Sequence, residues 1–118
     1  MEKKIKICLS SNILDKGGAE RTVQTIALNL NKQIFDLTVI CLEGGGVRAQ
    51  SLQEAGIKVL IGNGTIEKIK ELISDPDFDI LHLHRSGHFE DLHRQAADYL
   101  RPKKLMETPA NRLKKEAA

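Results

Sequence analysis

The stretch IKICLSSNILDKGGAER, residues 5–21, decides the fold expected for this chain. Its apolar run from Ile5 to Ser10 predicts a buried β-strand, and two glycines, Gly17 and Gly18, follow after a short loop. The residues after the glycines have the spacing of an amphipathic helix. A strand, a glycine turn and a helix start in this order let an anionic or polyhydroxyl ligand approach free backbone N–H groups.

The same alternation of strand-like and helix-like patterns continues through most of the chain. Further strands are predicted at residues 37–42, 58–61, 79–84 and 104–107, and helices at residues 19–30, 47–55, 65–73 and 89–100. Gly56 is predicted to end the second helix, Thr65 to cap the third and Pro102 to end the last. Strand–helix steps of this length predict the α/β class, with a parallel sheet of about five strands and helices on both faces. We expect the Rossmann-like strand order 3-2-1-4-5, in which strands one and four are neighbours.

Length and composition restrict the classes of protein to which the chain can belong. Its 118 residues suit one domain, residues 1–109, followed by a tail over residues 110–118 that is poorly ordered or marks a truncation. A charged fraction of 29% and a net charge of +2 suit a globular chain and give no reason to expect nucleic acid as a partner. No apolar run is long enough for a transmembrane helix or a secretory signal, so we expect a cytoplasmic protein.

Two cysteines, Cys8 and Cys41, both fall within predicted strands. We expect them to be buried free thiols in a reducing compartment. A redox pair is the alternative, but the sequence has no Cys-x-x-Cys motif and suggests no base beside either thiol.

The glycine segment has two interpretations that the motif alone does not separate. It is either a backbone cradle for a phosphate or for sugar hydroxyls, with Glu20 and Arg21 nearby, or a simple entry into the helix. The segment has neither the Gly-x-Gly-x-x-Gly pattern of dinucleotide-binding domains nor the Gly-Lys-Ser/Thr of a Walker loop. A nicotinamide fingerprint is therefore absent.

A second segment, DILHLHRSGH at residues 79–88, contains the fourth predicted strand and the loop that follows it, at the same edge of the sheet as the glycine segment. His82 and His84 lie two apart, so they point to the same face of a strand. Three interpretations stay open: a zinc site completed by His88, a partly buried histidine pair, or a polar site at the sheet edge that includes Arg85. The zinc interpretation is the weakest, because no carboxylate or thiolate stands at a familiar spacing.

A third segment, METPANR at residues 106–112, leaves the predicted fifth strand at the same edge. Glu107 is suited to act as an acid or a base, and Asn111 or Arg112 as a hydrogen-bond donor. A plain exit loop explains the same residues, and without geometry we favour that simpler interpretation.

Taken together, the three segments resemble the N-terminal domain of the group 1 (family 4) glycosyltransferases of the GT-B type. The segment from Ser10 to Arg21, which contains GGAER at residues 17–21, is similar to that family's first loop. DILHLH at residues 79–84 is similar to the end of its fourth strand, and METPANR to the following strand exit. The segments occur in the family's order, and the resemblance covers essentially the whole chain. The first segment is moderately specific, and the other two are weak when taken alone.

This resemblance implies half of an enzyme that moves a sugar from a nucleotide sugar to an acceptor hydroxyl, with retention and without a metal or other cofactor. In the family, the N-terminal domain mainly binds a sugar or lipid-linked acceptor, and a C-terminal domain with a Glu-x7-Glu motif holds the donor. This sequence has no such motif, so the chain alone is expected to be inactive and its status as an enzyme stays uncertain. The residues implied in acceptor or phosphate binding are Gly17, Gly18, Glu20, Arg21, His84, Arg85 and Asn111.

Two other classes of function stay open beside this one. The chain is also compatible with a non-catalytic partner subunit, completed by a separate chain that supplies the donor domain, and an exposed apolar face of such a subunit can be covered in a homodimer. A stand-alone nucleotide- or phosphate-binding domain of flavodoxin-like build is the second alternative, and it predicts the strand order 2-1-3-4-5.

Overall fold

Five strands alternate with four helices in the computed structural model of the chain, which describes residues 3–11, 18–74, 76–83, 90–101 and 104–107, with the backbone alone at residues 18–20, 90–91 and 104–107. The strands are β1 (Ile5–Ser11), β2 (Phe35–Cys41), β3 (Lys58–Ile61), β4 (Ile80–Leu83) and β5 (Lys104–Glu107). The helices are α1 (Gly18–Asn29), α2 (Val47–Glu54), α3 (Ile66–Leu72) and α4 (Glu90–Leu100).

All five strands belong to one parallel sheet with the order β3-β2-β1-β4-β5. This confirms the α/β class and the expected order 3-2-1-4-5. The flavodoxin-like order 2-1-3-4-5 is excluded, because β1 lies between β2 and β4. The central strand β1 pairs Ile5 with Phe35 on one side and Ile7 with Ile80 on the other.

Alternation along the strands produces a separate hydrophobic core on each face of the sheet. The face covered by α1 and α2 buries Leu9, Val23, Ala27, Val39, Cys41, Ala49, Leu52 and Ile57. The face covered by α3 and α4 buries Cys8, Ile40, Leu42, Ile69, Ile73, Phe78, Leu81, Leu83, Ala96 and Leu100. Helices on both faces are thus confirmed.

The helices on each face are also joined to one another by polar contacts. Arg48 of α2 donates from Nη1 to Oε1 of Gln24 on α1 at 2.6 Å. On the other face, the Tyr99 hydroxyl of α4 donates to the Ile73 carbonyl just after α3 at 3.3 Å. Each pair of helices therefore forms a layer with its own lateral contacts.

Local signals explain where two of the helices begin or end. Thr65 caps α3, since its Oγ1 accepts a hydrogen bond from the Lys68 N–H at 3.3 Å, as the sequence predicted. Gly56 follows α2 with a φ of 84°, a left-handed conformation that costs glycine little. Pro102, expected to end the last helix, and the tail over residues 110–118 lie outside the described residues.

Two details of the elements differ from the sequence prediction. β2 begins at Phe35 rather than Leu37, because pairing with Ile5 of β1 extends the ladder toward the amino end. In α4 the fully buried residues are His93, Ala96 and Leu100, so a histidine that the sequence pattern did not single out occupies a core position.

Candidate functional site

The strand order places a crevice at the carboxyl ends of β1 and β4. These strands are parallel neighbours, with Ser10 opposite Leu83. The helix that follows β1 lies on one face of the sheet, and the helix that follows β4 lies on the other. The two connections therefore diverge at this edge, which is the arrangement that binds ligands in open α/β sheets.

Ser10 and Ser11 end the central strand β1 at this crevice. Both are buried, and Ser10 is 0% exposed. The Ser10 Oγ has no hydrogen-bond partner among the residues that the structure describes. The backbone carbonyl of Ser11 accepts a hydrogen bond from the Leu42 N–H at 2.8 Å, which fixes the ends of β1 and β2 side by side.

Glu43 lies at the same edge, two residues beyond the end of β2. It is half-buried, and the loss of solvent raises the pKa of its carboxyl above the usual value. A carboxylate in this place can accept hydrogen bonds from ligand hydroxyls.

The amino terminus of α1 supplies the donors of this edge. The helix begins at Gly18, so the N–H groups of its first turn have no intrahelical acceptor and face the side of the carboxyl ends. The helix dipole adds a partial positive charge there. Arg21 is exposed, and since Val23 two residues later is buried, Arg21 lies on the side of α1 away from the sheet.

The predicted binding residues are only partly covered by the structure. Gly18 and Glu20 lie in the first turn of α1, which is described by its backbone, and Arg21 follows them. The other predicted residues lie outside the described residues: Gly17, His84, Arg85 and Asn111. Their roles, and that of His88 in a zinc site, stay predictions.

His82 lies in β4 on the face that carries α1. It borders a groove of about 180 Å³ that is otherwise lined by apolar side chains, namely Ile7, Leu9, Ile26, Leu30, Leu37 and Ile80. Burial lowers the pKa of His82 below its ordinary value of 6.5. His82 is therefore partly buried, and the histidine pair stays a prediction because His84 lies outside the described residues. Within the described ranges, no three His, Cys, Asp or Glu side chains are grouped so as to hold a metal ion.

The cysteines are buried free thiols, as expected. Cys8 packs on the side of α3 and α4, whereas Cys41 packs on the side of α1 and α2. Burial raises the pKa of both thiols to about 12, which keeps them protonated and unreactive. The sheet between them excludes a redox pair.

Glu43 and His93 were not singled out from the sequence, and Ser10 was named only as the last residue of the first predicted strand and the first residue of the segment that resembles the family's first loop. Ser10 follows the apolar residues Ile7 to Leu9, and Glu43 stands between a strand and the run Gly44 to Gly46, which are both signals of a strand end. His93 gave no signal, because its neighbours in α4 supply an adequate apolar face without it.

No helix in the described part of the chain has the length and apolar character needed to cross a membrane. Comparison of the chain with protein-family models, with curated proteins and with solved structures found no match.

Proposed function

We propose that this chain is the N-terminal, acceptor-binding half of a glycosyltransferase that moves a sugar from a nucleotide sugar to an acceptor hydroxyl. One observation supports this most directly: β1 and β4 are neighbours whose following helices lie on opposite faces, and the glycine segment enters α1 at that same edge. The segment resembles the first loop of the group 1 glycosyltransferases.

The physical contribution of this half is hydrogen bonding at the carboxyl edge. The unpaired N–H groups of the first turn of α1 and the helix dipole favour negative charge, such as that of a leaving diphosphate. Half-buried Glu43 can accept hydrogen bonds from hydroxyl groups of a sugar acceptor. The donor itself belongs to a C-terminal domain in this proposal, so these 118 residues alone do not catalyse transfer.

The proposal extends to partners and location. The acceptor is a sugar or a lipid-linked sugar, the donor binds only when the second domain is present, and no metal or nucleic acid takes part. The full enzyme works in the cytoplasm, where it can lie against the membrane surface if its acceptor is lipid-linked.

A titration of the isotope-labelled chain, followed by the chemical shifts of its amides, tests this proposal. The ligands are UDP, GDP, UDP-glucose, glucose 1-phosphate and methyl α-glucoside. We expect the two sugar ligands without a nucleotide to shift the amides of Ser10, Ser11 and the first turn of α1 at millimolar concentration. The nucleotides are expected to cause no comparable shift. Nucleotide binding at about 1 μM, about −8 kcal/mol, would overturn the acceptor-side proposal.

Two variants make the titration specific. Arg21→Ala removes an exposed cation at the start of α1, and Lys32→Ala removes one just beyond its other end. We expect Arg21→Ala to weaken the binding of glucose 1-phosphate and Lys32→Ala to leave it unchanged. Equal effects of the two substitutions would indicate a non-specific attraction to positive charge.

The second candidate, a stand-alone nucleotide-binding domain, is weakened because the flavodoxin-like strand order that it predicts is excluded and because the sequence has no dinucleotide fingerprint. Tight binding of a nucleotide by the isolated chain is the outcome that favours this candidate.

A further inference from the structure

Ser10 is an anomaly in the core of the sheet. Its register neighbours are Ile40 on β2 and Leu83 on β4, and neither side chain has a polar atom. The residue is 0% exposed, and its Oγ has no hydrogen-bond partner among the described residues. A hydroxyl buried in this way loses its hydration without a protein partner in return.

The fold itself gives no reason for a hydroxyl at this position. Cys8 precedes Ser10 by two residues on the same face, and it packs well in the cluster beneath α3 and α4. A small side chain without a strong polar group therefore fits this row of β1. The hydroxyl of Ser10 calls for another explanation.

The position of α4 suggests an explanation for the Ser10 hydroxyl. Its buried stripe, His93, Ala96 and Leu100, faces the sheet, and Ala96 and Leu100 share a cluster with Cys8 and Leu83. Because α4 runs back from the carboxyl edge, its first turn lies at the end of the cluster where Ser10 is found. The N–H groups of that turn have no intrahelical acceptor.

We infer that the Ser10 hydroxyl is a ligand-binding group, which hydrogen-bonds a hydroxyl of an uncharged polyhydroxyl ligand, such as a sugar ring, held between the end of β1 and the first turn of α4. Ser10 is one residue from the end of β1, about 3.3 Å along the strand from the crevice. The inference rests on the proposed function, because it assigns a second contact to the same acceptor site.

The charge of α4 selects the class of ligand. The helix begins with Glu90 and Asp91, so its first turn already has two formal negative charges in the sequence. Acidic residues in the first turn of a helix offset the partial positive charge of its N-terminus, so this helix end favours a neutral sugar over a phosphate. The amino terminus of α1 on the other face remains the place for an anionic group.

The test compares Ser10→Ala with Thr38→Val, which removes a buried hydroxyl from the same face in the middle of the neighbouring strand, opposite Cys8. Two quantities are measured for each variant: the urea concentration at the unfolding midpoint, and the Kd for methyl α-glucoside from amide chemical shifts. We expect Ser10→Ala to unfold at the same or a higher urea concentration and to bind the glycoside about tenfold more weakly. Thr38→Val is expected to leave the Kd unchanged.

Each other outcome has a definite meaning. An unchanged Kd for Ser10→Ala, while the wild-type chain binds the glycoside, overturns this inference and leaves the proposed function intact. A lower unfolding midpoint for Ser10→Ala also overturns it, because the hydroxyl then stabilises the fold itself. A wild-type chain that binds no glycoside refutes both. If Ser10→Ala does not fold, Ser10→Cys preserves the size of the side chain and gives the same comparison.

Inorganic phosphate is the control ligand, whose Kd is expected to be the same in the wild type and in Ser10→Ala.

Discussion

Asp79 binds the backbone of Lys6 through two hydrogen bonds, although the two residues are 73 positions apart in the sequence. The Lys6 N–H donates to the Asp79 Oδ2 at 2.9 Å, and the Asp79 N–H donates to the Lys6 carbonyl at 3.0 Å. Both contacts lie at the amino ends of β1 and β4, at the edge opposite the candidate site. They set the alignment of the two strands that form that site.

The first prediction concerns this contact. Asp79→Ala is expected to destabilise the fold by about 1–3 kcal/mol, because it leaves the Lys6 N–H without its charged acceptor. Asp79→Asn retains an acceptor oxygen and should cost less. Urea unfolding of the three proteins measures the differences. Asp98→Ala, at an exposed position in α4, is the control, and a similar loss there would mean that the Asp79 contact has no special value.

The second prediction concerns the turn after β3. A Cβ at Gly62 would lie 2.6 Å from the Leu42 carbonyl oxygen, which is part of the backbone and cannot move aside cheaply. We therefore expect Gly62→Ala to destabilise the fold by about 1–3 kcal/mol, and Gly62→Asn by at least as much.

Gly56 provides the matched comparison for this turn. No atom lies within 4 Å of a Cβ built there, but its φ is 84°. Gly56→Ala should cost about 1 kcal/mol for the left-handed backbone, and Gly56→Asn less, since asparagine tolerates this conformation. If Gly62→Asn is less destabilising than Gly62→Ala, as expected for the two Gly56 variants, a steric conflict with the Leu42 carbonyl is not the cause of the loss of stability.

The third prediction concerns the thiols. With a pKa of about 12, Cys8 and Cys41 have very little thiolate at pH 8 and are buried in addition. We expect an aromatic disulfide reagent to label neither thiol in the native protein within minutes and both thiols in urea. Mass spectrometry after mild oxidation should show no bond between them, because they lie on opposite faces of the sheet. Rapid labelling of either thiol in the native state would contradict the described burial.

The fourth prediction concerns pH. Burial lowers the pKa of His82 in the folded chain below its ordinary value of 6.5, so the unfolded chain binds a proton more readily. The resulting stability is complete above pH 6.5 and is lost as the pH falls through the folded pKa. His82→Gln has no such proton to bind, and its stability should depend less on pH between 7 and 5. Urea midpoints of both proteins across this range measure the effect, and parallel curves would show that other groups cause it.

Much of the fold could be predicted because its boundaries follow local chemistry. Gly56 ends α2, Thr65 begins α3, and continuous apolar runs mark strands that are covered on both faces. The number and length of the strand–helix steps predicted a parallel α/β sheet but were compatible with two strand orders, and only the pairing of β1 with β4 distinguishes 3-2-1-4-5 from 2-1-3-4-5. The extra two residues of β2 could not be foreseen, since they depend on a pairing partner, Ile5, that lies 30 positions earlier in the chain.

The candidate site was less predictable for the same physical reason. A sequence motif shows which residues follow a strand, but the Ser10 hydroxyl matters because two neighbouring strands and α4 surround it with apolar groups. His93 is buried together with Ala96 and Leu100 on the face of α4 toward the sheet. Asp79 was grouped with the histidine segment, and the structure shows that it aligns β4 with β1.

The pairing of β1 with β4 has a consequence for how the chain folds. The first three strands are neighbours in the sheet in the order of the chain, because β1 pairs with β2 and β2 pairs with β3. Their contacts therefore close shorter loops of the chain than the contact between β1 and β4. The contact between Lys6 and Asp79 closes a loop of 73 positions, which costs more entropy before any interaction is gained. We therefore expect the transition state for folding to contain the first three strands and to lack β4. The ligand-binding edge then forms late, and a chain stalled on the ribosome before β4 emerges has native-like structure but no binding site.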